Sequence, residues 1–313
     1  MKEKKIKISV ITTYYNDENT ILYAIESVHS QILTDDYEIE HVIVNDCSTD
    51  NSETYVNKYL ELKKFVSPNI IYKHVKTKKN LGCGGARKFG ISKGTGQFFM
   101  FLDADDYYMN TNFVFNAANT IINENADIVE YGIKFNYPDG TSKYLGAQEK
   151  IIIENNKKYA LELLFNNGII RFNVWSKIYT KQIVKSYPYS TERTYEDIRT
   201  IPYWVSNANK IIIIPTAEIN YRANENSIIR TNKIETRLGT VKALCELMDT
   251  MPEECRWDIY ERALIDLTIV LHGHTSNDEG FNEMSQYNTK MLSKLMPDKY
   301  KDITYNIEDE ANK

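Results

Sequence analysis

Over the first 110 or so residues, short apolar runs alternate with amphipathic stretches. IKISVITT (Ile6 to Thr13) is rich in β-branched residues, the pattern of a strand buried on both faces. In DENTILYAIESVHSQIL, which follows, Ile21, Ile25, Val28 and Ile32 recur at helical spacing behind Asp17 or Asn19 as N-cap. IEHVIVND predicts a second strand ending at Asp46. STDNSETYVNKYLELKKF predicts a helix opened by Asp50, with Glu53 three residues on as in a capping box. NIIYKHV reads as a third strand, a glycine-rich turn leads into helix ARKFGIS, and QFFMFLD is a fourth strand. Repeated strand–helix units with short connections predict an α/β fold: a mixed, mostly parallel sheet with helices on both faces. Ligands of such sheets bind outside the carboxyl ends of the strands.

From about Ala126 the pattern changes. ADIVEYGIKFNY and the segment after Pro138-Asp139-Gly140 predict antiparallel strands, and KYALELLFNNG and NVWSKIYTKQIV predict helices. Beyond Asn232 the pattern is almost wholly helical. One apolar stripe runs through Ile234, Leu238, Val241, Leu244 and Met248, another through Trp257, Tyr260, Leu264, Leu267 and Leu271.

At 313 residues, 42% hydrophobic and 26% charged, the chain has the composition of a soluble globular protein; its net charge of −5 argues against a nucleic-acid partner. MKEKKIK precedes only a short apolar run, read as a strand and not a signal peptide. No run approaches the roughly 18 apolar residues of a transmembrane helix. Cys47, Cys83, Cys245 and Cys255 show no zinc spacing and fit a reducing cytosol.

The candidate chemistry begins in FLDADDYY, where a buried strand runs into Asp103, Asp105 and Asp106. Asp103 and Asp105 repel each other unless a cation lies nearby. Mg²⁺ or Mn²⁺, held by one or two carboxylates plus substrate phosphates, suits them; capping of the next helix is the other reading. In NLGCGGARKFG, free amides at a helix start together with Arg87 suit a diphosphate, and a plain tight turn is the alternative. His272 and His274, two apart, face different ways and read as a helix terminus.

ISVITTYYNDENTILYAIESV, VIVNDCSTDNS, NLGCGGARKFGI and FMFLDADDYY, in that order, resemble the N-terminal half of family 2 glycosyltransferases, of GT-A fold. NVWSKIYTK resembles the family's Trp-x-Lys-Leu segment. TYEDIRTIPYWVSNANKIIIIPTAEINYRANENSI resembles its Glu-Asp block and Tyr-Arg tail. The resemblance implies that Thr12, Tyr14 and Asn16 bind the nucleotide, with Tyr14 stacking on the base. Asp46 would accept the uracil imide N–H, Arg87 would meet the diphosphate, Asp103 would lie near ribose and metal, and Asp105 would ligate Mn²⁺ or Mg²⁺. Asp197 is the implied general base of an inverting transfer, with Glu196 as the second candidate; an acidic pair capping the next helix is the bland alternative. Trp175, Lys177 and Arg222 would border the sugar and acceptor pocket, although Trp175 also reads as a core aromatic.

The pattern departs from the family at Cys47 (commonly Gly, its small size tolerated), Asn45 (often Asp) and Lys88 (often Asn). Asn224 stands near the place of a histidine that ligates metal in some relatives. The Gln-x-x-Arg-Trp motif of processive synthases is absent, which favours a single transfer. The expected function is a metal-dependent inverting glycosyltransferase. It would move one sugar from a nucleotide-sugar, a UDP-sugar by preference, to a glycan, glycoprotein or lipid-linked acceptor in bacterial surface-polysaccharide or glycoconjugate synthesis. A non-catalytic relative that binds a nucleotide-sugar or a partner protein is the alternative. A nucleotidyltransferase would need a glycine-rich basic loop after the first strand, which ITTYYNDENT lacks. Residues 1–230 are expected to form the GT-A domain, with 1–110 as its nucleotide-binding half and 111–230 as its acceptor side; helices in 231–313 would pack on it. These helices leave a homodimer, or peripheral contact with the inner face of the membrane by a cytoplasmic protein, open.

Overall fold

The computed structural model describes residues 5–63, 68–137, 139–222, 234–273 and 279–295. They fall into two compact units, one of residues 1–160 and 169–225, the other of 161–168 and 226–313.

The first unit is built on a ten-stranded mixed sheet. β1 (Ile6–Tyr14), β2 (Tyr37–Asn45), β3 (Ile70–Lys76) and β4 (Phe98–Asp103) lie parallel in the order β3-β2-β1-β4. The sheet continues through β9 (Lys177–Thr180), antiparallel to β4, then β6 (Ile128–Asn136), β10 (Lys210–Arg222) and the short β5 (Tyr107–Tyr108). β7 (Ser142–Leu145) and β8 (Ile151–Glu154) pair with β6 and β10.

Alternation along β1 shows helices on both faces. Tyr14 packs with Ile21 and Ile25 of α1 (Ile21–His29) and with Val56 of α2 (Ser52–Lys63). Ile11, three residues earlier and so on the opposite face of the pleat, meets Gly90 of α3 (Gly82–Lys93), where a Cβ would stand 2.5 Å from the Ile11 side chain. That glycine lets α3 lie close on the sheet. α4 (Phe113–Asn123), α6 (Lys181–Ser186) and α7 (Ile201–Asn207) complete the unit, and α5 (Lys157–Phe165) is shared between the two.

Several expectations are corrected. α1 starts at Ile21 behind a turn in which Asp17 accepts through its backbone carbonyl, so neither Asp17 nor Asn19 is its cap; Ile32 lies beyond the helix and is exposed. Asp50 Oδ1 does cap α2, accepting from Ser52 N at 3.0 Å, but Glu53 pairs with Lys76 (2.5 Å) instead of reaching back. The glycines of NLGCGG form the first turn of α3 rather than a loop before it. NVWSKIYTKQIV is no single helix: Lys177–Thr180 is a strand, wedged between β4 and β6, and the helix starts at Lys181.

In the second unit α8 (Ile234–Thr250), α9 (Arg256–Gly273) and α10 (Glu279–Leu295) bury Val241, Leu244, Met248, Ile259, Ala263 and Met291, while Trp257 and Leu264 are exposed. Pro138, Asn224 and His274, and the side chains of Ile234, Leu267, Leu271 and His272, lie outside the described residues. No helix among the described residues is long and apolar enough to cross a membrane.

Candidate active site

The carboxyl ends of β1, β2 and β4 open on a cavity of ≈ 610 Å³ whose lining includes Thr13, Tyr15, Asp17, Asp46, Asp103 and Asp105. Asp103, Asp105 and Asp46 are thus brought together as expected. Thr12 and Tyr14 are not placed as expected. Thr12 is fully buried with its hydroxyl 2.9 Å from His41 Nε2. Tyr14 borders the cavity, but its side chain is 2% exposed and its hydroxyl lies 2.9 Å from His74 Nε2. Because side chains alternate across a strand, the pair turned to the cavity is offset by one residue: Thr13 and Tyr15, the latter 45% exposed. Asn16, at φ 58°, serves as a clamp, taking Thr49 N–H on Oδ1 (2.8 Å) and donating its own N–H to Ser48 (3.1 Å). Cys47 has φ 67°, so glycine is favoured there by backbone conformation rather than by size.

Asp46 is buried, and both of its oxygens are engaged. Oδ1 accepts from the Thr77 hydroxyl (2.8 Å) and Leu81 N (2.9 Å), and Oδ2 from Leu81 N (3.0 Å) and Gly82 N (2.9 Å). The amides at the start of α3, read from the sequence as an anion site, therefore hold this carboxylate. The Leu81 and Gly82 amides are thereby committed to Asp46 rather than to a diphosphate, and three donors on Asp46 leave it one acceptor position at most for a uracil imide. The glycines have another purpose. A Cβ on Gly84 would come within 2.4 Å of Ser190 O, 2.8 Å of Glu192 O and 3.0 Å of the Glu196 side chain. Gly84 is thus what lets the 190–196 segment close on α3.

That segment meets α3 at Arg87, which is buried and does not line the cavity. Its Nη2 donates to Asp103 Oδ1 at 2.6 Å. Its Nη1 donates to Glu196 Oε1 at 2.6 Å, to Tyr189 Oη at 3.2 Å and, more weakly, to Asp197 Oδ1 at 3.4 Å. The guanidinium is therefore spent on protein carboxylates, which corrects its assignment to the diphosphate. Arg193 is the arginine on the cavity wall, steadied by the Asn80 side chain (3.0 Å) and carbonyl (3.2 Å). Nothing in its sequence neighbourhood marks it, nor Asp17 or Tyr189, as a site residue.

Burial pushes the Asp197 carboxyl up to about 7, against the opposing pull of Arg87 and with the charge of Glu196 adding to the rise. Burial and the neighbouring Asp103 push Asp105 up to about 6. Asp106 is buried, with burial first and Asp105 next raising it well above the usual carboxylate range. It accepts Arg222 N–H at 3.1 Å and so joins the turn after β4 to the end of β10.

The expected acceptor residues are dispersed. Lys177 is 1% exposed and donates to the carbonyls of Arg171 (2.8 Å) and Asn173 (2.7 Å); it is an internal brace, not a substrate contact. Trp175 is buried and stacks on Tyr221 at 5.5 Å, the core reading. Arg222 lies over the rings of Tyr23 (4.5 Å) and Tyr107 (5.0 Å) in a separate cavity of ≈ 410 Å³.

Comparison with known proteins decides the family. The profile described as "Glycosyl transferase family 2" matches residues 9–187. The chain belongs to glycosyl transferase family 2. Glycosyltransferase GlyG of Streptococcus pneumoniae serotype 4 is 26% identical over 256 residues, covering 79% of this chain and 80% of GlyG. GlyA of the same strain is 26% identical over 258 residues, but the chain spans only 34% of its length. Among solved structures, Staphylococcus aureus TarS 1–349 in complex with UDP-GlcNAc superposes with a TM-score of 0.66 at 20% identity, covering 92% of this chain and 81% of that one. Mannosyltransferase PcManGT of Pyrobaculum calidifontis, in complex with GDP-Man and Mn²⁺, gives 0.58 at 13% identity, covering 95% and 89%. At these identities the structural likeness establishes the fold, the GT-A arrangement of this family 2 glycosyltransferase.

Proposed function

We propose that this protein transfers one sugar, with inversion, from a UDP-sugar to a hydroxyl of a glycan, glycoprotein or lipid-linked acceptor, with the help of Mn²⁺ or Mg²⁺. The observation that carries the reading is Arg87, whose one guanidinium ties Asp103 at the cavity to the Glu196–Asp197 pair. A nucleotide-sized cavity and a carboxylate with a raised pKa are thereby held in fixed relation, as proton abstraction beside a bound donor requires.

Within this scheme Tyr15 offers its exposed ring to the base, and Arg193 offers the cavity its cation. Asp197 is better suited to take the acceptor proton than Glu196, which is clamped to Arg87 at 2.6 Å. Its Oδ1 is held by Tyr189 and Arg87, whereas Oδ2 receives only the Val174 N–H, at 3.3 Å, among the described residues. No three His, Cys, Asp or Glu side chains among the described residues form a metal cage. Asp103 and Asp105 still fit a divalent ion that takes its other ligands from phosphates and water: both border the cavity, and the burial and the Asp103 charge that raise Asp105 are what a cation beside them offsets. Such an ion would neutralise charge on the departing nucleoside diphosphate. TarS, crystallised with UDP-GlcNAc, supports the choice of UDP.

The test is thermal unfolding with UDP, GDP, CDP and dTDP, each with Mn²⁺ or with EDTA. A ligand of the folded state raises the midpoint according to its concentration over Kd. UDP with Mn²⁺ is expected to raise it, and EDTA or Asp105→Ala to abolish the rise. No shift with any nucleotide would remove the donor reading.

A further inference from the structure

The least expected member of the Arg87 cluster is Tyr189. It is 2% exposed, and its ring lies against Phe101 (centroids 6.2 Å apart, 26° between planes) and Trp204 (5.7 Å, 61°). The hydroxyl has two partners: it accepts from Arg87 Nη1 at 3.2 Å, and it meets Asp197 Oδ1 in a short hydrogen bond. A guanidinium can only donate, so the single phenolic proton must point at Asp197. Polarisation by Arg87 makes the hydroxyl a stronger donor.

We infer that Tyr189 is a positioning residue for proton transfer: its hydroxyl turns Oδ1 of Asp197 towards Arg87, presents Oδ2 to the acceptor hydroxyl, and favours the charged carboxylate. The inference rests on Asp197 as the base proposed above. The other titratable groups around Asp197 are Arg87 and Cys83 of α3, Asp103 at the end of β4, Glu196 beside it, and Lys177 and Tyr179 of β9. None of them donates a hydroxyl proton to this carboxylate. Tyr189→Phe keeps both ring contacts and removes the hydroxyl, which is the donor to Asp197 and a long acceptor (3.2 Å) for Arg87, whose Nη1 retains Glu196 at 2.6 Å. A hydrogen bond to the charged form is then lost, and the carboxyl becomes harder to ionise.

The test is a pH titration of ¹³C-carboxyl-aspartate protein followed by NMR, with Asp197→Asn assigning the signal. In Tyr189→Phe the Asp197 midpoint is expected to move up by about half a pH unit or more. With 3-fluorotyrosine at position 189, a stronger donor of nearly the same shape, it is expected to move down; this arm also serves if the phenylalanine variant does not fold. A second arm follows hydrolysis of UDP-GlcNAc with Mn²⁺. There kcat is expected to fall about tenfold with KM unchanged, and the acid limb of kcat/KM to follow the titration. An unmoved Asp197 midpoint overturns the inference, and so does a moved midpoint with unmoved kcat in an active enzyme. If the wild type does not turn over UDP-GlcNAc, it is the choice of that sugar that fails, and the titration still decides the part played by Tyr189.

Discussion

Two clusters of buried charge lie in the sheet unit, and their balance of sign is opposite. Around Glu130, which is fully buried, stand two cations: Arg171 Nη2 at 2.8 Å and Lys177 Nζ at 3.5 Å. Lys177 spends further protons on backbone carbonyls, so the cluster stitches the 171–176 turn to β6 and β9. Around Arg87 stand three carboxylates, those of Asp103, Glu196 and Asp197, while Asp105 and Asp17 border the same cavity. Buried charge that is neutralised internally can serve the fold. A surplus of negative charge beside an open cavity has no such use, and it suits a partner that brings protons or cations. The contrast explains why Lys177, which the family pattern placed at the acceptor, belongs to the architecture, and it is the reason for placing the proposed chemistry on the Asp103–Asp197 side.

The strongest way to break this comparison is to neutralise one member of each cluster. Asp197→Asn is expected to lower turnover by about 10²–10⁴-fold, the range for a lost general base. It should leave the unfolding midpoint unchanged or higher, because a neutral amide is easier to bury than a carboxylate. Lys177→Met should do the opposite. It leaves Glu130 short of a cation and opens the turn, at a cost of about 3–5 kcal/mol in urea unfolding. A stable Lys177→Met protein that had lost only acceptor affinity would reverse the assignment made here.

Much of this was legible in the chain, and the losses have physical causes. β1 to β4 and the helices between them were readable because each carries a clean period, and the strand ends put Asp46, Asp103 and Asp105 at one edge. The facing of Thr12 and Tyr14 was not, because ITTYYN sets a hydroxyl or aromatic residue on either face and alternation then carries no sign. Lys177 misled in the same way: a lysine in SKIYT reads as exposed until the buried Glu130, 47 positions earlier, is in view. The partners of Arg87 lie as far as 110 residues along the chain. Only the family pattern, and nothing local, connected GARKF with TYED.

Gly84 sharpens the comparison at a smaller scale, because it tests whether the negative cluster depends on close approach of its two walls. Gly84→Ala forces a Cβ against the carbonyls of Ser190 and Glu192. Overpacking of this kind costs about 1–3 kcal/mol. The segment carrying Glu196 and Asp197 should move away from α3, and a displacement of about 1 Å is enough to lose some 10²-fold in rate. Loss of activity that exceeds loss of stability is the expected outcome. Full activity in a folded Gly84→Ala protein would show that Arg87 need not bridge the two walls.

The smallest effect is expected from a third buried set of titratable groups, one that carries no charge and so calibrates the other two. His29 Nε2 lies 3.3 Å from His41 Nδ1, and the His29 ring packs against Tyr59 and Tyr72. Burial lowers His29 to about 4, against the raising effect of Glu26 and with Lys63 adding to the fall; His41, fully buried, is lowered well below the usual range. For a base whose pKa is depressed on folding, the unfolded chain binds more protons than the folded one between the two values. Stability is therefore expected to hold above about pH 6.5 and to fall as pH drops towards 4. Lowering a pKa by one corresponds to about 1.4 kcal/mol at full burial; after allowance for solvent at this half-buried ring, about 1–2 kcal/mol remains for His29. His29→Phe removes that proton uptake. At pH 7 the variant should be equal to the wild type or slightly weaker, because His41 Nδ1 loses its partner, and its deficit should shrink or reverse by pH 4.5. A difference that stays constant with pH would mean that His29 takes up its proton as readily in the folded chain as in the unfolded one, and the set could not then serve as the uncharged reference.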